Sequence, residues 1–121
     1  VVTGDGELLM NLGALAAIAV IDPPNLAILC VDNGHYGETG WQQSHTSLGV
    51  DLEKIAIGSG IKRTHTVAVD ADIAAGARLL REGNGTAFVL LRVKPTEPAE
   101  FKRNFDASLL RDRFRAALQA R

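Results

Sequence analysis

The sequence contains very little cysteine, since Cys30 is the only one among its 121 residues. A single thiol excludes an intrachain disulfide, and it also excludes a zinc site built from several cysteines. Cys30 lies within the apolar run Leu26–Val31. We therefore expect a buried, inert thiol there rather than a reactive one.

The chain also has few aromatic residues, almost no net charge and no long hydrophobic run. Aromatics make up 5% of the chain and the net charge is −1. This balance argues against base-stacking platforms and against a basic field for nucleic acid or an anionic membrane. The apolar run Leu12–Ile21 is too short to cross a bilayer, and no segment is typical of a signal peptide. We expect a cytoplasmic protein with neither nucleic acid nor membrane among its partners.

Apolar segments are present in an alternating order. The expected strands are the end of one at residues 1–3, then Leu26–Val31, Thr64–Val69 and Thr86–Val93. The expected helices are Glu7–Ile21, Asp51–Ser59 with Asp51 as its N-cap, Asp70–Arg81 and Ala107–Ala120. A long polar loop at 33–49 without periodicity, and a connector at 94–104, complete the chain. The alternation predicts a single α/β domain of three α/β/α layers with a mostly parallel sheet.

Two glycine-containing turns follow the first two expected strands. They are Gly4-Asp5-Gly6 and the segment 32–37, Asp-Asn-Gly-His-Tyr-Gly. Because right-handed crossovers bring the carboxyl ends of parallel strands to one edge, we expect both turns to open onto a shared site. Either motif alone could be no more than a turn, and Asp32 is interpreted as a turn or helix-contact residue rather than a ligand.

Together these turns contain the ligands of a metal–diphosphate site. Asp5 could offer Mg²⁺ a carboxylate oxygen, Asn33 its side-chain carbonyl and His35 its backbone carbonyl. Gly4 and Gly6 allow the backbone to approach a diphosphate closely, and the following helix directs N–H groups toward it. The sequence therefore predicts a magnesium–diphosphate cofactor.

The same residues resemble a known family. The Gly4-Asp5-Gly6 turn, the gap of 28 positions (33 − 5) and the segment 33–37, Asn-Gly-x-Tyr-Gly, resemble the diphosphate-binding motif of thiamine diphosphate enzymes. Residues 4–13 and 32–40 are most similar to the sulfopyruvate and phosphonopyruvate decarboxylase branch. The resemblance covers most of residues 1–93, and it implies the thiamine diphosphate-binding fold without its first strand and helix.

The resemblance also implies roles for individual residues. Mg²⁺ would be held by Asp5, Asn33 and the His35 backbone carbonyl. The residues near the diphosphate would be Gly4, Gly6, Glu7, Tyr36 and Gly37. Glu7 departs from the small or hydroxyl residue of many relatives, so its carboxylate is expected to turn outward and leave only its N–H to the cofactor.

By this resemblance, residues 1–121 form the pyrophosphate-binding domain, and the pyrimidine-binding domain is absent. The activating glutamate would then come from a partner domain or subunit, in a homo- or hetero-oligomer. The expected function is that of a thiamine diphosphate- and Mg²⁺-binding subunit or fragment that decarboxylates a small 2-oxo acid. The alternatives are a non-catalytic cofactor-binding or regulatory module, or a carboligase similar to acetolactate synthase. A magnesium-dependent phosphate-transfer protein is disfavoured because no Gly-x-x-x-x-Gly-Lys loop is present.

Several further side chains have open roles. The polar candidates of the long loop are Thr39, Gln42, Gln43, Ser44, His45, Thr46 and Ser47. His45 could move a proton near the substrate as a catalytic residue, or it could be a solvated loop histidine. Trp41 could cover the site or contact a partner domain. Leu9 and Met10 are expected in the core, and His65 is expected to be structural.

Overall fold

The computed structural model describes residues 1–96 and 104–120 of the chain. Its strands are β1 (Val2–Gly4), β2 (Ala27–Asp32), β3 (His35–Tyr36), β4 (Gln42–Gln43), β5 (Arg63–Val67) and β6 (Ala87–Arg92). Its α-helices are α1 (Asp5–Leu9), α2 (Gly13–Ile21), α3 (Leu52–Gly58), α4 (Ile73–Leu79) and α5 (Ala107–Gln119). Two short 3₁₀ turns lie at His45–Leu48 and Asp70–Asp72.

Four strands form one parallel sheet in the order β1-β2-β6-β5. One row of the register runs from Thr3 through Cys30 and Leu90 to Thr66. The central strands β2 and β6 are the most apolar, as expected for a parallel sheet covered on both faces. Since β1 and β2 are parallel neighbours, the segments that follow them begin at the same edge of the sheet.

Helices cover both faces of this sheet. On one face, Phe88 and Leu90 pack with Leu15 of α2 and Leu52 of α3 in a single buried cluster. On the other face α4 lies so close to β5 that a Cβ added at Gly76 would be 2.6 Å from a Val67 methyl group. The predicted three-layer α/β/α fold with a mostly parallel sheet is therefore confirmed.

The expected helix Glu7–Ile21 is wrong in its extent, because the structure contains two helices, α1 and α2. The N–H groups of Asn11 and Ala14 donate to carbonyls three residues back, at 3.0 and 3.1 Å, so tight 3₁₀ turns replace the α-helical pattern. Asn11 and Gly13 are both weak helix formers, which explains the break. Leu9 packs on the core as expected, but Met10 is 77% exposed and the core assignment for it is wrong.

The loop at 33–49 is more regular than expected. Strands β3 and β4 form an antiparallel hairpin in which His35 pairs with Gln43, and the 3₁₀ turn follows directly. The carbonyl of Tyr36 accepts from the N–H of Trp41 at 3.1 Å, and Trp41 has a φ of 60°. Strands of two residues are too short to produce a hydrophobic alternation, so the sequence contained no signal for them.

The remaining elements differ from expectation mainly at their ends. The strand expected at Thr64–Val69 begins one residue earlier and ends two residues earlier, as β5. The strand expected at Thr86–Val93 is one residue shorter at each end, as β6. The helix expected at Asp70–Arg81 divides into the 3₁₀ turn and α4. Asp51 caps α3 as predicted, since its Oδ1 accepts from the Lys54 N–H at 3.1 Å.

The C-terminal part of the chain is described only in part. Residues 97–103 of the expected connector lie outside the described residues. Helix α5 forms where the sequence predicts it, and the apolar stripe on it is exposed. The stripe consists of Leu109, Leu110, Phe114 and Leu118. No helix within 1–96 or 104–120 has the length and apolar character that a membrane span requires.

Candidate functional site

The candidate site lies where β1 and β2 end. Gly4 is the last residue of β1 and pairs in register with Val31 of β2. Asp5 follows as the first residue of α1, and Asp32 ends β2. The parallel pairing therefore brings the two sequence motifs to one edge of the sheet, as the sequence predicts.

Asp5 is a buried carboxylate and not an exposed turn residue, because only 2% of it is accessible to solvent. Its Oδ2 accepts a short hydrogen bond from the Ser44 hydroxyl, and the Thr46 hydroxyl oxygen lies 3.2 Å from the same atom. No ion pair to Asp5 occurs in the described part of the chain. The polar groups next to this buried carboxylate are thus two neutral hydroxyl groups.

Asp32 is the second buried carboxylate at this edge, with 8% exposure. Its Oδ1 accepts from the Gly34 N–H at 3.1 Å, which confirms its interpretation as a turn residue. The same oxygen accepts from the Thr46 hydroxyl at 2.7 Å. Thr46 therefore bridges the carboxylates of Asp5 and Asp32.

The side chains of Asp5, Asp32, Ser44 and Thr46 make more oxygen–oxygen contacts than they have hydroxyl protons to fill them. The contacts are Ser44–Asp5, Ser44–Thr46, Thr46–Asp5 and Thr46–Asp32. Ser44 and Thr46 supply one hydroxyl proton each, so two contacts lack a proton when both carboxylates are ionised. A cation bound at this edge would compensate the negative charge, and in that respect the residues fit a divalent metal ion.

The donor set for such a cation would be mixed. Within residues 1–96 and 104–120, no group of three or more His, Cys, Asp or Glu side chains could by itself hold a metal. Oxygens from an amide, from the backbone and from the ligand would have to complete the coordination. Asn33 offers such an oxygen: its Oδ1 accepts from the His35 N–H at 2.9 Å and from no other donor among the described residues, and a carbonyl oxygen has two lone pairs.

His35 is placed by its own turn and by Trp41. Its Nδ1 lies 3.1 Å from the Asn33 backbone carbonyl, and its ring meets the Trp41 ring edge-on with centroids 5.6 Å apart. The imidazole is thereby occupied on its Nδ1 side. Whether the His35 carbonyl serves as a ligand stays a prediction.

Gly6 and Tyr36 are in direct contact. A Cβ at position 6 would lie 2.5 Å from Cδ1 and 2.6 Å from Cε1 of the Tyr36 ring, so only glycine fits beneath it. Gly37 is more open, since a Cβ there would lie 3.8 Å from the Trp41 ring. The Tyr36 ring of β3 thus packs against the backbone of α1 at Gly6.

Glu7 is exposed and its carboxylate folds back onto the end of β1. Its Oε2 accepts from the Thr3 hydroxyl at 2.6 Å and from the Gly4 N–H at 3.4 Å. Helix α1 has only five residues, so its dipole is weaker than that of the long helix that the sequence suggested.

His45 begins the 3₁₀ turn, between the two hydroxyl residues that contact Asp5, and it is exposed. The roles of Ser44 and Thr46 could not be recognised from the sequence, where they were only polar loop residues. The one local signal is the spacing of two hydroxyl residues around His45, directly after the hairpin.

Cys30 lies on β2, the strand that ends at Asp32. It is fully buried, as expected, and burial raises the pKa of its thiol to about 12, with further contributions from the charges of Asp32 and Asp5. A thiol with such a pKa is protonated at neutral pH and is a poor nucleophile.

The chain is similar in sequence to known proteins. A family model described as "Thiamine pyrophosphate enzyme, C-terminal TPP binding domain" matches residues 1–91. The sulfopyruvate decarboxylase subunit beta of Methanocaldococcus jannaschii is 41% identical over 70 residues, which are 58% of this chain and 37% of the relative. The phosphonopyruvate decarboxylase of Streptomyces viridochromogenes is 33% identical over 117 residues, covering 88% of this chain and 29% of the relative.

The fold has a counterpart among solved structures. A protein from Mycobacterium smegmatis assigned as a thiamin diphosphate-dependent enzyme superposes with a TM-score of 0.55 at 26% identity. The match covers 78% of this chain and 18% of that one. The chain therefore spans well under half the length of each protein that it matches here.

Proposed function

This chain belongs to the thiamine pyrophosphate enzymes, as a C-terminal TPP binding domain, and we propose that it binds the cofactor for a 2-oxo acid decarboxylase. The observation that carries the proposal is the buried Asp5 carboxylate, which lies at the shared end of β1 and β2 beside the Asn33 turn. The named activities of the relatives support decarboxylation as the reaction class.

In this proposal Mg²⁺ is held by Asp5, Asn33 and the backbone carbonyl of His35. The charge of Asp5 and the amide oxygen of Asn33 suit a hard cation. The residues proposed to lie near the diphosphate are Gly4, Gly6, Glu7, Tyr36 and Gly37. The Glu7 carboxylate is already engaged by Thr3 and Gly4, which leaves its backbone as the group for the cofactor.

Bound thiamine diphosphate supplies an electron sink for the loss of CO₂ from the 2-oxo acid. The chain's own residues bind and orient. Asp5 and Asn33 fix the metal end, while Tyr36 packs against the Gly6 backbone and keeps the β3 segment close to α1. His45 is exposed beside this edge, and we propose its imidazole as the group that moves a proton near the substrate.

A second protein segment completes the proposed enzyme. The M. jannaschii relative is named as a beta subunit, which supports a partner subunit or domain for this chain as well. We propose that the partner binds the pyrimidine ring and supplies the activating glutamate, within a homo- or hetero-oligomer. The relatives' names support a substrate with a sulfonate or phosphonate group.

The test is an assay of CO₂ release by the whole protein that contains this chain, with and without a separately added pyrimidine-binding subunit. Sulfopyruvate, phosphonopyruvate and pyruvate are compared, each with Mg²⁺ and thiamine diphosphate present or omitted. We expect release from an anionic 2-oxo acid only when both cofactors and the pyrimidine-binding part are present. A protein that binds no thiamine diphosphate under any of these conditions would contradict the proposal.

A further inference from the structure

We propose that Ser44 and Thr46 are positioning residues for the metal site: they hold one oxygen of the Asp5 carboxylate and leave the other to a cation. This inference rests on the proposed function. It names two side chains that the motif itself does not contain, 39 and 41 residues away from Asp5 in the chain.

The backbone of Ser44 is held in place by hydrogen bonds. Ser44 is 0% exposed, and its N–H donates to the Gly34 carbonyl at 2.8 Å. Its carbonyl accepts from the Ser47 hydroxyl at 2.8 Å. The backbone of Ser44 is therefore held on both sides at the place from which its hydroxyl donates to Asp5.

Thr46 ties two parts of the edge together. Its hydroxyl oxygen lies 3.2 Å from Asp5 Oδ2 and 2.7 Å from Asp32 Oδ1. Asp32 in turn accepts from the N–H of Gly34 at 3.1 Å, inside the turn that begins with Asn33. The position of the Asp5 carboxylate is therefore coupled to the turn that carries the second proposed ligand.

The hydroxyl groups contact only one of the two oxygens of the Asp5 carboxylate, Oδ2. Among the described residues, the hydroxyl oxygens of Ser44 and Thr46 both lie next to Oδ2, and no side-chain donor reaches Oδ1. The terminal torsion of an aspartate is broad, so an unrestrained carboxylate would rotate. The Ser44 hydroxyl donates to Oδ2 and the Thr46 hydroxyl oxygen lies 3.2 Å from the same atom, so this side of the carboxylate is held and Oδ1 is left as the oxygen for a cation.

Residues that orient a metal ligand contribute to the affinity of the site for the metal. Loss of a group that orients a metal ligand lowers metal affinity by roughly 10- to 100-fold. The variant Thr46→Val removes the hydroxyl while keeping the shape, and Thr46→Ser keeps the hydroxyl while removing the methyl group. Thr64→Val makes the same exchange on β5, the strand at the opposite edge of the sheet from β1, and serves as the control.

The experiment is a calorimetric titration of Mg²⁺ into the whole protein with saturating thiamine diphosphate. Thermal unfolding of each variant shows whether it folds, and Ser44→Ala replaces Thr46→Val if the latter does not. For the variant that lacks the hydroxyl we expect Mg²⁺ affinity to fall by roughly 10- to 100-fold. Thr46→Ser and Thr64→Val should stay close to the wild type.

The outcomes separate the inference from the function on which it rests. A wild-type protein that binds neither Mg²⁺ nor thiamine diphosphate contradicts the proposed function. If the wild type binds both and loss of the hydroxyl leaves the Mg²⁺ affinity unchanged, the positioning role is overturned and the function stands. Equal losses in Thr46→Val and in either Thr46→Ser or Thr64→Val would also overturn it, because the hydroxyl would then not be the cause.

Discussion

The contact between Gly6 and the Tyr36 ring makes Gly6→Ala a sensitive test of the site's geometry. The added Cβ would lie 2.5 Å from Cδ1 and 2.6 Å from Cε1 of the ring. Carbon atoms pack best at about 3.5 to 4.0 Å, so the ring or α1 has to move by about 1 Å. Because Gly6 is buried, we expect the free energy of unfolding to fall by about 1–3 kcal/mol, the usual cost of overpacking.

Denaturant unfolding in a double-mutant cycle with Tyr36→Ala measures this cost. Removal of the ring should relieve the clash, so the two substitutions should couple by about 0.5–3 kcal/mol. Gly13→Ala is the control, since a Cβ there meets nothing within 4 Å and should stabilise the chain by about 0.4–1 kcal/mol. A Gly6→Ala protein as stable as the wild type, or a loss that persists without the ring, would refute the packing.

Two further predictions concern titrating groups. Cys30 has a thiol pKa of about 12 and is fully buried, so it should resist maleimide labelling at pH 8 and react only after unfolding; rapid labelling of the folded chain would contradict this. The pKa of Asp22 is lowered below its usual value of 3.8, chiefly by the hydrogen bond from the Thr86 N–H. The charge of Asp22 therefore contributes stability above pH 3.8 that is lost as the pH falls through its folded pKa. The difference in unfolding free energy between wild type and Asp22→Asn should shrink over that range, and a constant difference would contradict the assignment.

The order of strands and helices could be predicted because it depends on patterns that are local in the chain. Leu26–Val31 is a continuous apolar run, and the parallel sheet follows from its alternation with helical segments. The shared edge for Asp5 and Asn33 then follows from parallel pairing alone. The candidate ligands Asp5 and Asn33 could therefore be predicted from the sequence.

Other features depend on contacts that the local pattern does not contain. The break between α1 and α2 requires only a few 3₁₀ hydrogen bonds around Asn11, and the hairpin has strands of two residues. The hydroxyls of Ser44 and Thr46 reach Asp5 only after the chain folds, across 39 and 41 residues. The burial of Asp5 follows from these contacts, so the sequence could place the residue but not its surroundings.

The central claim is that Asp5 holds the metal of a thiamine diphosphate site, and Asp5→Asn tests it most directly. Asparagine keeps an oxygen that can accept from Ser44 and Thr46 but removes the negative charge that a hard cation needs. Thiamine diphosphate is titrated calorimetrically into the whole protein and the variant, with Mg²⁺ present and with Mg²⁺ removed by a chelator. We expect tight, Mg²⁺-dependent binding in the wild type and its loss in Asp5→Asn with the fold retained. Equal binding by both proteins, or wild-type binding that is indifferent to Mg²⁺, would contradict the account.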